Sequence, residues 1–225
     1  INSVQPDLVA LQEVDVRTKR SLGVDQLLEL AHLTGLQPVY GRTISHQGGL
    51  YGNAVLARLP VNGFINHDLP GREPRGLLEA VITPPPGSTD QLLHFLATHL
   101  DLNEPDRLAS AARIHDVLAG RPAGLPMILA GDMNAVIGSK PISALLADWT
   151  LAQGGQPLLT SPASAPRRQI DFIMVRPAAR WRVIETRVLD EPVASDHRPI
   201  FAVLELLPGL APESPARPDP PRNLR

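Results

Sequence analysis

Residues 128–136 read ILAGDMNAV, an apolar run that ends in Gly131, Asp132 and Asn134. The run is typical of a buried strand, and the glycine permits a tight turn at its end. A carboxylate and a carboxamide are thereby held together where a strand leaves the core. The pair is compatible with a simple turn, because Asp and Asn readily bond their own backbone, and equally with a catalytic site.

Other polar residues share this position, at the junction of an apolar run and a turn. Several offer hard oxygen atoms, which suit Mg²⁺ or Mn²⁺, and two are imidazoles. Carboxylates with histidine can orient and deprotonate water, and a divalent cation can offset the charge of a phosphoryl group. The pattern therefore indicates hydrolysis of phosphate esters. The residues are Glu13, Asn53, His99, Asp101, Asp132, Asn134, Asp171, Ser195, Asp196 and His197.

Composition excludes several other kinds of site. The 225 residues include no cysteine, which excludes disulfides, thiolate nucleophiles and cysteine-ligated zinc. No serine lies in a Gly-x-Ser-x-Gly motif. The formal net charge of −2 argues against a surface that holds long nucleic acid. No apolar run approaches the ~18 residues of a membrane span, so we expect no transmembrane segment.

Apolar patterns predict the elements that position these residues. Helices are expected over 24–33, before Gly35, over 104–119, and from Ser139 as N-cap to about residue 147. Strands are expected over 7–13, 37–45, 51–58, 61–68, 77–83, 91–101, 127–131, 170–175, 181–189 and 200–206. Most strands follow one another directly, which disfavours a barrel or dinucleotide fold. We therefore expect an α/β (α+β) fold with two mainly antiparallel sheets packed face to face and helices outside.

Six segments occur in the order found in the endonuclease/exonuclease/phosphatase superfamily, which resembles pancreatic deoxyribonuclease and exonuclease III in fold. They span about residues 6–206 and read LVALQEVD, YGNAVLARLPV, ATHLD, GDMNA, RQIDFIMV and SDHRPIFAVLEL. One such motif would be weak evidence, whereas six in order are strong. The resemblance implies a four-layered α/β sandwich and hydrolysis of phosphodiesters or phosphomonoesters that depends on a divalent metal.

The resemblance also implies roles for single residues. Glu13 matches a metal-binding glutamate, and Asp196 would be a second carboxylate on the metal side, for Mg²⁺ or Mn²⁺. Asp132 would orient or activate the attacking water. Asn134 would hold the scissile phosphate.

Two histidines complete the implied site. His197 would pair with Asp171, whose carboxylate fixes the tautomer and favours the charged ring, and His99 would donate to a phosphate oxygen. Asn53 either completes a turn or contacts the substrate. Arg75 is either solvated or reaches a phosphate.

The ends of the chain carry separate expectations. Members of this superfamily usually begin one strand earlier, about 20–30 residues with the following helix, so we expect an N-terminally truncated or processed chain. If that strand is absent from the whole protein, the metal site is incomplete. The Pro-rich residues 208–225 predict a disordered tail after a single domain over 1–207. A monomer and a cytoplasmic location are favoured, and export stays open because the start looks truncated.

The same residues bear on two rival functions and on the substrate class. A catalytically silent binding or scaffold module that retains the fold is the alternative from another class. A calcineurin-like metallophosphatase would need Gly-Asn-His-Asp/Glu and Gly-His-x-His motifs, and neither occurs. Few aromatic residues (4%) and no basic run favour a small-molecule or lipid-like phosphoester over long nucleic acid.

Overall fold

A computed structural model describes residues 1–88 and 91–209 of the chain. Within them lie helices α1 (Gln26–Thr34), α2 (Glu104–Leu118) and α3 (Lys140–Leu145). The strands are β1 (Leu8–Val16), β2 (Gln37–His46), β3 (Gly49–Ala57), β4 (Val61–Leu69), β5 (Arg75–Ile82), β6 (Leu93–His99), β7 (Met127–Asp132), β8 (Thr150–Leu151), β9 (Asp171–Arg176), β10 (Trp181–Val188) and β11 (Ile200–Leu206). The tail predicted over 208–225 falls outside the described residues from 210 onward.

The strands form three hydrogen-bonded groups. One sheet has the order β1-β3-β2, a second has the order β4-β5-β6-β7-β9-β8, and β10 pairs with β11. All pairs are antiparallel except β6 and β7, which α2 connects as a parallel pair. Within residues 1–88 and 91–209, the β10–β11 hairpin is therefore separate from the two larger sheets, because the ladder of β11 is shared with β10 alone.

Three apolar cores separate the layers. Side chains of β1, β2 and β3 pack against one face of the six-stranded sheet, together with Trp181, Leu204 and Leu206 of the β10–β11 hairpin. The other face of that sheet packs against α2 and α3. α1 covers the outer face of the three-stranded sheet. The order helix, sheet, sheet, helix confirms the four-layered α/β sandwich.

Local sequence explains where the helices begin and end. Asp25 caps α1 by accepting a hydrogen bond from the amide of Leu28, and Gly35 ends it with φ +70°. Ser139 is the N-cap residue of α3, as predicted, but its buried hydroxyl makes no capping hydrogen bond, and the helix ends at Leu145, about two residues earlier than expected. Among the described helices, the longest has 15 residues, and none is long and apolar enough to cross a membrane.

Candidate active site at the ends of three strands

Three neighbouring strands of the large sheet end in register. His99 at the end of β6 lies opposite Asp132 at the end of β7, and Asp132 lies opposite Asp171 at the start of β9. Residues opposite one another on paired strands point to the same face, here the face that packs between the two sheet layers. The fold thus places an imidazole and two carboxylates side by side where the inner core ends.

Gly131 permits this close arrangement. Its φ is +154°, and a Cβ atom built on it would lie 1.9 Å from the carbonyl oxygen of Thr98 on β6. A side chain at this position would push β7 away from β6. The glycine that precedes Asp132 is therefore required for the spacing of the strands as well as for the turn.

Glu13 reaches the same place from the opposite sheet. Strict alternation with Val9 and Leu11 would turn residue 13 toward α1. A β-bulge between Leu11 and Val14, with φ +59° at Glu13, shifts the alternation by one residue. The Glu13 carboxylate consequently lies 3.9 Å from the His99 ring and stays 60% exposed.

His197 pairs with Asp171. Its Nδ1 lies 3.2 Å from Oδ1 and 3.0 Å from Oδ2 of that carboxylate, and 3.9 Å from Oδ2 of Asp132. The hydrogen bond to Asp171 raises the pKa of His197 to about 9 despite its partial burial, and the charge of Asp132 adds to the effect. His197 is therefore an imidazolium at neutral pH, and its Nε2 is left to donate to a ligand.

The negative charge near Asp132 is larger than the nearby positive charge and hydrogen bonds can offset. It is 7% exposed. Burial and the charge of Asp171 raise the pKa of Asp132 to about 7, although the backbone amide of Asn134 donates to it and His197 lowers it. A carboxyl group whose pKa lies near 7 is suited to exchange a proton with water or to accept a cation.

His99 is neutral because its ring is buried beside a guanidinium group. Nη1 of Arg75 lies 3.3 Å from Nδ1, and the amide nitrogen of Asn134 lies 3.1 Å from Nε2. Burial, followed by the charges of Arg75 and His197, lowers the pKa of His99 to about 3. The amide of Asn134 also donates to the carbonyl oxygen of Leu100, so this side chain fixes the end of β6.

The structure corrects two sequence alternatives. Arg75 is 9% exposed, so it is not a solvated cation, and it lies against His99. Asn53 does not complete a turn, because it lies within β3, is buried, and donates to the carbonyl oxygen of Gly76. Whether either residue contacts a substrate stays a prediction.

The remaining residue assigned from sequence lies at the edge of the group. Asp196 is exposed and its side chain accepts a 3.5 Å hydrogen bond from Ser195. Its role as a metal ligand stays a prediction. Two contacts were missed, because no motif marks them: the Thr160 hydroxyl donates to Asp171, and the Tyr51 hydroxyl hydrogen-bonds Glu13.

The donor set fits a divalent cation. One ligand atom each from Asp132, Asp171 and His197 can be chosen within 4.8 Å of the others. Glu13 raises the pKa of Asp132 by its charge, which means that its carboxylate faces the same space. Three carboxylates around one space, with one imidazolium, leave negative charge that a hard cation would offset.

We refer to Glu13, His99, Asp132, Asn134, Asp171 and His197 together as the strand-end site.

A model of the Endonuclease/Exonuclease/phosphatase family matches residues 1–197 of the chain. The Uncharacterized protein YbhP of Escherichia coli (strain K12) is 30% identical over 219 residues, which cover 92% of this chain and 86% of YbhP.

Solved structures share the fold. A functionally unknown conserved protein from Enterococcus faecalis V583 superposes with a TM-score of 0.75 at 22% identity, over 92% of this chain and 88% of that one. The Bacteroides thetaiotaomicron VPI-5482 mannosyl-6-phosphatase Bt3783 superposes with a TM-score of 0.70 at 18% identity, over 90% and 86% of the two chains. At these identities the likeness concerns the fold alone.

Proposed function

Because the chain belongs to the endonuclease/exonuclease/phosphatase family, whose members hydrolyse phosphoesters, we propose that it is a divalent-metal-dependent hydrolase of phosphoester bonds, a phosphodiesterase or a phosphatase. The observation that carries this proposal is the register of His99, Asp132 and Asp171 at three adjacent strand ends, with His197 bonded to Asp171. A chain that kept only the fold would have no need of a buried carboxyl group such as Asp132, whose neighbouring negative charge is not offset.

Three side chains have different roles in the proposed reaction. Asp132, with a pKa near 7, orients the attacking water and takes its proton. His197 stays charged beside Asp171 and donates from Nε2 to the phosphate as charge builds on its oxygens. His99, a neutral ring whose Nδ1 faces the guanidinium of Arg75, carries its single N–H at Nε2 and donates it to a phosphate oxygen.

A cation would be held at the exposed side of this group. Glu13 and Asp132 are the proposed ligands, because their carboxylates face the same space. When bound, Mg²⁺ or Mn²⁺ offsets the charge of the phosphate and lowers the pKa of water. The bulge at Glu13 directs that carboxylate into the space that Asp132 faces.

A small phosphoester is the proposed substrate class, ahead of long nucleic acid. The chain has a formal net charge of −2 and few aromatic residues, so it carries no net positive charge to hold a long polyanion and has few stacking platforms. The structural relative from Bacteroides thetaiotaomicron is described as a mannosyl-6-phosphatase, which is a precedent for a small phosphoester on this fold.

The test is metal-dependent turnover of generic esters. Purified protein is assayed with p-nitrophenyl phosphate and bis(p-nitrophenyl) phosphate, with Mg²⁺, with Mn²⁺ and with a chelator. Asp132→Asn should lower turnover by roughly 10²–10⁴-fold, the range for a lost acid-base group. Asp116→Asn, an exposed aspartate on α2, is the matched control and should retain full turnover.

Each result decides between the proposal and its rival. Turnover that disappears with the chelator and with Asp132→Asn supports the hydrolase. Turnover that survives the chelator excludes a divalent-metal mechanism. Failure to turn over either ester in the presence of either metal favours a silent binding or scaffold module.

A further inference from the structure

Beside the strand-end site lies a pocket of about 490 Å³, here called the side pocket. Two loops form it, one between β4 and β5 and one between β6 and α2. Arg75 connects the side pocket to the site, because its guanidinium lines the pocket and its Nη1 lies 3.3 Å from His99. The residues that line it are Arg72, Glu73, Arg75, Asp101, Leu102 and Asn103.

Asp101 holds the two loops together. Its buried carboxylate accepts hydrogen bonds from the amide of Asn103 at 2.8 Å and from the amide of Glu73 at 3.4 Å. Gly71 is packed so closely that an added Cβ atom would lie 2.5 Å from the carbonyl oxygen of Glu73. The pocket is consequently formed before any ligand arrives.

α2 fixes the same loops from behind. The buried Ser110 hydroxyl donates to the carbonyl oxygen of Pro70, and Arg107 donates to the carbonyl oxygens of Asp101 and Leu102. Because both loops are fixed to a helix, the polar groups of the pocket keep a set geometry. A ligand is therefore selected by how well it matches these groups.

The polar groups of the pocket offer both donors and acceptors. Arg75 is 9% exposed, yet its Nε is buried with no hydrogen-bond partner among the described residues. Its Nη1 lies 3.3 Å from the half-exposed carboxylate of Glu73. The Asn103 amide, which donates to Asp106, has a second N–H to offer.

Charge and polarity restrict what the pocket can bind. Two guanidinium groups and two carboxylates balance, so a second phosphate finds no excess positive charge. An acyl chain would cover the polar groups of Arg75, Glu73 and Asn103 without bonding them. A hydroxyl group can accept from Arg75 and donate to Glu73 at the same time. The exposed Leu102 offers an apolar surface for the C–H face of a ring.

We propose that the side pocket binds the hydroxyl groups of a sugar or polyol whose phosphate ester lies in the strand-end site. This proposal rests on the proposed phosphoester hydrolase function. It names the part of the substrate that is not attacked, and it makes Arg75, Glu73 and Asn103 the residues that select it.

The test compares two primary monoesters of equal carbon number, glucose 6-phosphate and n-hexyl phosphate. The protein should favour glucose 6-phosphate in kcat/KM by about tenfold or more, the effect of one or two hydrogen bonds to charged groups. Asn103→Ala and Glu73→Gln should each lower this ratio severalfold, mainly through KM. Asn62→Ala and Glu185→Gln change exposed residues that do not line the side pocket; these matched controls should leave the ratio unchanged.

Direct binding separates the two proposals. Calorimetry on the Asp132→Asn protein measures both esters without turnover. Tighter binding of glucose 6-phosphate that Asn103→Ala abolishes supports the pocket, even if no ester is ever hydrolysed and the proposed function falls. Turnover of both esters with equal kcat/KM and equal affinity overturns the pocket and leaves the hydrolase standing.

Discussion

The large sheet contains two buried carboxylates, each flanked by two histidines, and they have opposite acidities. At the end of β7, Asp132 lies between His99 and His197, and its pKa is raised to about 7. On β5, Glu79 lies between His67 and His94, and its pKa is lowered to about 2. The same ingredients therefore give one carboxyl group that holds its proton and one that releases it readily.

Donor distance and neighbouring charge explain the difference. Glu79 is 1% exposed, and burial alone would raise its pKa. The hydrogen bonds from His94 and from His67 at 2.7 Å, with Arg121 at 3.1 Å, more than offset that burial. We call these four residues the Glu79 cluster.

The corresponding contacts of Asp132 are longer and its neighbours are negative. The histidine nitrogens lie 3.6 and 3.9 Å from its Oδ2, and one of the two rings is neutral. Asp171 and Glu13 add negative charge. The two regions therefore differ in purpose: a satisfied carboxylate stabilises the sheet, and an unsatisfied one remains available for a water, a proton or a cation.

The largest expected effect concerns the pair that makes the strand-end site reactive. Asp171→Asn keeps the shape but removes the charge that keeps His197 protonated, so turnover should fall by roughly 10²–10⁴-fold. His197→Ala should lose a similar factor. The double variant should be little worse than either single one, because residues that act as a unit are non-additive. Steady-state kinetics measures all three, and fully additive losses would show that the residues act separately.

A substitution in the Glu79 cluster should lower the stability of the protein rather than its turnover. Glu79→Ala leaves Arg121, His67 and His94 without their common acceptor, and we expect a loss of about 3 kcal/mol in the free energy of unfolding. Denaturant titration measures it, with Glu185→Ala on the exposed face of β10 as the control. Turnover of folded protein should be unchanged, and a loss of activity at full stability would contradict the division between the two regions.

The acidity of Glu79 also predicts how stability depends on pH. Its folded pKa of about 2 lies below the unfolded value of about 4.3. The folded state therefore binds fewer protons, so the stabilisation is complete above pH ~4.3 and is lost as the pH falls toward 2, by at most about 3 kcal/mol. The free energy of unfolding, measured from pH 6 to pH 3, should fall more steeply in the natural protein than in Glu79→Gln. Equal slopes would show that Glu79 does not cause the loss.

Sequence alone predicted much of the strand-end site, because its residues end apolar runs. An apolar run fixes where a strand lies, and a polar residue at its end must leave the core. Asp132, Asp171 and His99 follow this rule, and register then brings them together. Most strands and the helix that contains Pro105 were predicted within two or three residues for the same reason.

Contacts between residues far apart in the sequence could not be predicted from apolar runs. His94 alternates with apolar residues and would be read as structural, but nothing in the sequence identifies Glu79 as its partner. The bulge that turns Glu13 inward depends on the pairing of β1 with β3. The burial of Arg75 depends on a loop held by Asp101, which lies in the loop after β6. These features follow from tertiary packing, which local periodicity does not record.

The smallest expected effect tests whether the unsatisfied charge of the strand-end site is what a cation uses. A cation that binds the folded state stabilises it by about 1.4 kcal/mol at ten times its Kd, which corresponds to a rise of about 3–6 °C in melting temperature for a chain of this size. Mg²⁺ or Mn²⁺ should produce this rise, and a chelator should reverse it. Glu13→Gln replaces a charged oxygen ligand by a neutral one, so the rise should need a much higher cation concentration. Glu185→Gln should behave as the natural protein does. If Glu13→Gln shows an unchanged cation dependence, Glu13 is not a ligand, and the cation is held without it.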